Sequence, residues 1–216
     1  MNYSANTQRL IKMLEDAGAL WQHDGNPKRP YALLTSGKIS DFYFNGSKVI
    51  EKPLLLSEVV EEVLRQIEFQ IHPGVVLGPA VGAIPFVYEM ARSLSALAWF
   101  AEKSDDGSMK IARFESRPEL NRVLLGEDVI TTGGSTFKTL EALWAHSPNA
   151  QAYAVACIVN RSGRSYLDHT GLKIYSLLEV EAKTWERGNN PFTPDGAELI
   201  EPVRPKQHWA ELTKHY

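Results

Sequence analysis

The sequence predicts an α/β protein, a central parallel sheet flanked by helices, with a small N-terminal flap. Three observations carry this expectation. Short apolar runs recur at residues 75–77, 97–100, 122–125 and 153–159. Stretches of helical periodicity lie among them, at 54–69, 84–94 and 135–145. Residues 31–45 break the rhythm by mixing aromatic side chains with Gly37 and Ser40. Short, continuously apolar strands that alternate with helices mark a parallel sheet buried on both faces.

Taken in order, residues 7–20 place Leu10, Ile11, Leu14, Ala17 and Ala19 at near-helical spacing, which predicts a short amphipathic helix ending around Gly18. In residues 31–45, Phe42, Tyr43 and Phe44 favour extended structure, so strands and a turn are expected there. From Pro53 the α/β alternation is regular. A helix over 54–69 precedes a buried strand at 75–77, a helix at 84–94 and a strand at 97–100. The charged stretch between Phe100 and Asn121 reads as a solvated hairpin or loop. A strand at 122–125, a helix at 135–145 and a strand at 153–159 follow. The tail from Thr184 is rich in Pro, Gly and Asn and is expected to wrap the body rather than form a core element. The expected organisation is an N-terminal helix and flap over 1–52, the core over 53–181, and the tail over 182–216. Ligands of such sheets bind beyond the strand C-termini, near a topological switch point.

At 216 residues with 44% hydrophobic and 23% charged content, the chain has the bulk of one globular domain. A formal net charge of -3 argues against broad contact with nucleic acid but leaves room for a local cationic pocket. The single Cys157, inside an apolar run, excludes an internal disulfide and a cysteine-based zinc cluster, and reads as a buried strand thiol. No apolar run approaches ~18 residues and the first residues are polar, so no spanning helix or signal peptide is expected. A cytoplasmic protein without a membrane or nucleic-acid partner is the expectation.

The strongest chemical signal is the segment from Leu124 to Thr136, LLGEDVITTGGST. An apolar strand runs into the adjacent acids Glu127 and Asp128, then into Val129, Ile130, Thr131, Thr132, Gly133, Gly134, Ser135 and Thr136. Glycines let backbone N–H groups curl around an anion, and a following helix N-terminus adds unsatisfied donors and the positive end of its dipole. Carboxylates beside a phosphate would repel it, but they suit a sugar diol a few ångströms away, which donates to carboxylate oxygens. The combination points to a phosphorylated ribose. It is neither a P-loop nor a Gly-x-Gly-x-x-Gly fingerprint.

This segment resembles the phosphoribosyl-diphosphate (PRPP) motif of type I phosphoribosyltransferases, and the chain is similar to the orotate phosphoribosyltransferase family within that fold class. Ser36-Gly37-Lys38-Ile39-Ser40-Asp41-Phe42-Tyr43 is similar to that family's flap, or hood, motif. Gly78-Pro79-Ala80-Val81-Gly82-Ala83-Ile84-Pro85 is similar to its pyrophosphate loop, and Asn160-Arg161-Ser162-Gly163 to its Asp-Arg motif. The resemblance runs in order from about residue 30 to residue 181. It implies that PRPP and orotate react to give orotidine 5′-monophosphate and pyrophosphate, a step of pyrimidine biosynthesis. Glu127 and Asp128 would hold the ribose hydroxyls, Thr132 to Thr136 the 5′-phosphate, and the backbone at Gly82 and Ala83 the pyrophosphate. Thr131 and Arg161, with Tyr43 and Phe44 of the flap, would contact orotate. Mg²⁺ is implied as cofactor, held through PRPP and water rather than by a direct protein ligand, and a homodimer is implied as the assembly.

The same resemblance implies a mobile loop between Phe100 and Asn121 that brings cations to the departing pyrophosphate. Lys103 is its first candidate, ahead of Lys110, Arg113 and Arg117. Departures from the family pattern gather around this function. Thr35 and Gly82 stand where many members carry lysine, and Lys103-Ser-Asp-Asp-Gly replaces a Lys-x-His-Gly-like run. Gly126 stands where a larger apolar residue is usual. Two alternatives share the PRPP site: transfer to another nucleobase, against which the flap motif argues, and a non-catalytic PRPP-sensing regulator, for which no basic surface or added helix-turn-helix is evident.

Overall fold

The N-terminal helix stops where its glycine demands it. Helix α1 (Ala5–Asp16) starts at a Ser4 cap, whose Oγ accepts from the Thr7 N–H at 3.0 Å. Gly18 takes a left-handed conformation (φ 70°), which ends the helix before Leu20 and turns the chain into β1 (Leu20–Gln22). The structure, a computed structural model, describes residues 3–26, 28–34, 36–68, 72–117, 121–186 and 200–214. Thr35, residue 69 of the predicted helix, residues 118–120 of the charged stretch and residues 187–199 of the tail lie outside the described residues.

Three short strands follow: β2 (Ala32–Leu33), β3 (Ile39–Ser40) and β4 (Phe42–Phe44). Strand β4 pairs antiparallel with β1, while β3 pairs antiparallel with β2. After the one-turn α2 (Ser47–Ile50), Pro53 opens α3 (Pro53–Arg65), a position where its missing N–H is harmless.

The core alternates as the sequence predicts, through β5 (Val75–Pro79), α4 (Ile84–Leu94), β6 (Leu97–Lys103), β7 (Met109–Lys110), β8 (Arg122–Ile130), α5 (Gly134–His146), β9 (Gln151–Asn160) and β10 (Lys173–Glu179). These strands form one sheet in the order β10-β9-β8-β5-β6-β7, parallel except for the β6–β7 hairpin. Side chains alternate across a strand, so the core divides in two. Val76, Leu124, Ala156 and Ile158 join α1, α3 and α4 on one face. Val75, Leu77, Leu125, Val155 and the fully buried Cys157 join α5 on the other. No helix among the described residues is long and apolar enough to cross a membrane.

Two differences from the sequence reading matter for function. The strand predicted at 122–125 continues through the acids to Ile130, because β9 runs alongside it as far as Asn160. The tail also enters the flap. Strand β11 (Thr184–Trp185) pairs with β3, Val203 bridges Ala32, and the one-turn α6 (Trp209–Leu212) receives a hydrogen bond at the Leu212 carbonyl from Trp21 Nε1 at 3.0 Å. Trp21, Ala32, Val203 and Leu212 make a small core of their own.

Candidate active site

Strand β5 leads through α4 to β6 on one side, while β8 lies on its other side, so the connections diverge between β5 and β8. A cleft of about 860 Å³ opens above this switch point, between the strand ends and the flap. Gly82, Asp128, Val129, Thr131, Thr132 and Arg161 line its floor. Tyr43 and Phe44 line it from the flap.

Continuation of β8 through the acids decides how they are presented. Neighbouring strand residues face opposite ways. Asp128 points into the cleft, whereas Glu127, only 5% exposed, turns toward the first turn of α5. There Glu127 Oε2 accepts from Ser135 Oγ at 2.7 Å and from Thr136 Oγ1 at 3.4 Å. Burial pushes the Glu127 carboxyl up to about 8; the Ser135 hydrogen bond opposes the rise and the neighbouring Asp128 adds to it. Burial also raises Asp128, opposed by the Val129 N–H and by the charge of Lys206. Glycines crowd the Asp128 carboxylate: a Cβ added at Gly46 would meet its Oδ2 at 2.8 Å, and one at Gly82 at 3.3 Å.

The turn after β8 leads from the strand end directly into α5, and a helix N-terminus has the chemistry of an anion site. Gly133 adopts φ 80° and supplies no side-chain cap to α5, while the Gly134 N–H donates to Thr132 Oγ1 at 3.4 Å. Arg164 Nη2 donates to the Thr132 carbonyl at 2.8 Å and steadies this turn. Loop 80–83, which follows β5 and includes a cis Ala80–Val81 peptide, faces it across the floor.

Arg161 is positioned by its neighbours in sequence. Asn160 Oδ1 accepts from the Ser162 N–H at 3.1 Å and Oγ at 2.7 Å, and Asn160 Nδ2 donates to the Arg164 carbonyl at 2.8 Å. This turn swings Arg161 toward the flap, where Nη2 donates to Ser40 Oγ at 3.0 Å and the guanidinium lies 5.7 Å from the Phe42 ring. Ser40 Oγ in turn donates to the Lys183 carbonyl at 3.0 Å. One buried hydroxyl thus ties together the Asn-Arg turn, the flap motif and the segment before β11.

Residues 50–195 match the phosphoribosyl transferase domain model. An orotate phosphoribosyltransferase of Caldicellulosiruptor bescii is 34% identical over 197 residues, covering 91% of this chain and 97% of that protein. Another, of Desulforamulus reducens, is 36% identical over 200 residues, covering 91% and 96%. The chain belongs to the orotate phosphoribosyltransferase family. The crystal structure of the orotate phosphoribosyltransferase of Aeropyrum pernix shares the fold, with a TM-score of 0.61 and 22% identity over 79% of this chain and 93% of that one.

Against the pattern of the orotate phosphoribosyltransferases, the structure gathers Gly82, Asp128, Val129, Thr131, Thr132, Arg161, Tyr43 and Phe44 around one cleft. Ala83 and Ile130 are both 1% exposed and do not line it; their carbonyls accept from the Val87 and Arg161 N–H groups, each at 2.9 Å. The Ser135 and Thr136 hydroxyls are engaged by Glu127, and their backbone N–H groups form the start of α5. Lys103 is exposed at the end of β6 and does not line the cleft; neither do Lys110, Arg113 and Arg117. Arg113 is held by Glu102 through two hydrogen bonds of 2.8 and 2.9 Å. The cleft has cations that sequence reasoning missed: Lys38, Arg204 and Lys206. Only Lys38 lay in a motif; the other two sit in a tail without periodicity or spacing to single them out.

Proposed function

We propose that this chain transfers the phosphoribosyl group of PRPP to orotate, and that Mg²⁺ assists. The observation carrying this reading is the cleft lined together by Asp128, by Thr131 and Thr132 of the turn that leads into α5, and by Arg161. Asp128 accepts hydrogen bonds from the ribose hydroxyls, while the turn from Thr132 to Thr136 receives the 5′-phosphate through backbone donors. Glu127 stands behind that turn and sets the Ser135 hydroxyl. The backbone around Gly82 approaches the pyrophosphate, which small residues permit. Arg161 offers a planar fork of donors to the orotate carboxylate and ring carbonyl. Its position beside Ser40 and Phe42 supports this, because the flap then closes over the same ring.

Breaking the bond at the anomeric carbon leaves an oxocarbenium-like centre and a pyrophosphate gaining charge. The protein's contribution is to position the reactants and stabilise that charge. Among the described residues no three His, Cys, Asp or Glu side chains group to hold a metal ion. Mg²⁺ commonly uses one or two carboxylates with substrate phosphates and waters. Asp128 is the carboxylate that would face it, and the ion would neutralise pyrophosphate charge when bound. The reading also includes a homodimer, in which the β6–β7 hairpin and Lys103 serve the neighbouring subunit's cleft. Exposure of Lys103 away from its own cleft supports that arrangement.

The direct test mixes protein, PRPP, Mg²⁺ and orotate and follows the loss of orotate absorbance, with other nucleobases run in parallel. Turnover confined to orotate is expected. PRPP binding with no orotate turnover, or faster turnover of another base, would overturn the acceptor. Arg161→Ala should raise the orotate KM by roughly 10- to 100-fold, the value of a hydrogen bond to a charged group, with PRPP affinity little changed.

A further inference from the structure

We propose that Lys206, assisted by Arg204, is a binding residue for the diphosphate end of the ribosyl donor, so that the C-terminal segment supplies the cleft with cations. This inference rests on the functional reading above. Four cationic side chains line the cleft, namely Lys38, Arg161, Arg204 and Lys206. Two are already engaged. Lys38 pairs with Glu186 at 3.0 Å, and Arg161 is turned to Ser40 and the Phe42 carbonyl. Among the described residues, no salt bridge holds Arg204 or Lys206.

The location of Lys206 selects the ligand end it serves. Its charge reaches the Asp128 carboxyl and draws it downward against burial. Asp128 Oδ2 in turn lies 3.3 Å from the Cβ position of Gly82. Lys206, Asp128 and Gly82 line the same cleft, so an anion seated against loop 80–83 lies in the cavity that Lys206 also borders. Without Lys206, the Asp128 carboxylate would repel the same anion.

The backbone carrying these side chains is fixed, which lowers the entropy lost on binding. Before them, the Val203 N–H donates to the Tyr31 carbonyl at 3.0 Å, and the Val203 carbonyl accepts from the Leu33 N–H at 2.8 Å. Between them Pro205 is buried. After them, the Arg204 carbonyl accepts from the Gln207 and His208 N–H groups, both at 3.0 Å, and Leu212 is fully buried. Only the side chains are left to move. They occupy the cleft, whereas the hairpin cations of the same chain do not.

The test titrates inorganic pyrophosphate into wild type, Lys206→Gln, Lys206→Arg and Arg204→Gln by calorimetry at two salt concentrations, with thermal melts and orotate turnover in parallel. Lys206→Gln should weaken pyrophosphate binding by about tenfold or more, as expected for a lost charge-assisted contact. Lys206→Arg should recover most of it, Arg204→Gln should show a smaller loss, and melting should be unchanged. Pyrophosphate affinity within twofold of wild type in Lys206→Gln, or a loss that Lys206→Arg fails to restore, would overturn the inference even if orotate turns over normally. The pyrophosphate pattern expected here, in a protein that turns over no orotate, would instead sink the acceptor and keep Lys206.

Discussion

Glu127 combines near-complete burial with two hydroxyl donors and no cation, and its proton affinity follows from that. Its carboxyl is raised from 4.5 to about 8 in the folded chain. Between those values the folded chain binds more protons than the unfolded one, so stability falls as pH rises. The ligand-free protein should therefore lose melting temperature between about pH 5 and about pH 8, and Glu127→Gln should flatten that slope. Thermal melts across the range check this; an equally steep decline in Glu127→Gln would assign it to other groups. The adjacent acids are legible in the sequence as a pair at a strand end. Their division, Asp128 to the cleft and Glu127 to α5, is not, because it depends on β8 continuing past Leu125, where only pairing with β9 holds the strand.

The sheet and helices were the most legible part, since apolar strands and 3.6-residue periodicity leave a direct mark. What periodicity cannot register is how closely elements approach. A Cβ on Gly126 would meet Met90 Cε at 2.5 Å and Val87 Cγ2 at 2.8 Å, so α4 packs directly on the backbone of β8. That accounts for glycine at this position. At Gly78 the obstacle is the Gly126 carbonyl oxygen, at 2.4 Å, which cannot rotate aside as a methionine tip can. Gly126→Ala should cost ~1–3 kcal/mol in denaturant unfolding, as overpacking does, and Gly78→Ala should cost more. Finding Gly78→Ala the milder of the two would contradict this account of the β5–β8–α4 packing.

Over the whole molecule, the flap is assembled from distant parts of the chain. Strand β3 lies between β2 and β11, and Trp21 donates to the carbonyl of Leu212. The β3–β11 and Trp21–Leu212 pairings join segments more than a hundred residues apart, and the tail that makes them has neither strand alternation nor helical period. Sequence reasoning accordingly found the flap motif but not the elements that complete it. Leu212 is fully buried against Trp21, so Leu212→Ala should lower stability by ~2–5 kcal/mol. Binding of orotate should weaken in the same variant, because Tyr43 of the cleft packs on the Trp209 ring at 6.3 Å. Melting and orotate titration together check the coupling; loss of stability with unaltered orotate binding would uncouple flap from tail.

The parallel bridge between Ala32 and Val203 also sets an order of events during synthesis. Every strand of the six-stranded sheet leaves the ribosome before Thr184, Val203 or Leu212 does. A nascent chain can therefore hold the strands of the cleft floor while β3 still lacks one partner and Trp21 its cover. Translation thus delivers the roof of the cleft after its floor, and the last piece to arrive carries Arg204 and Lys206.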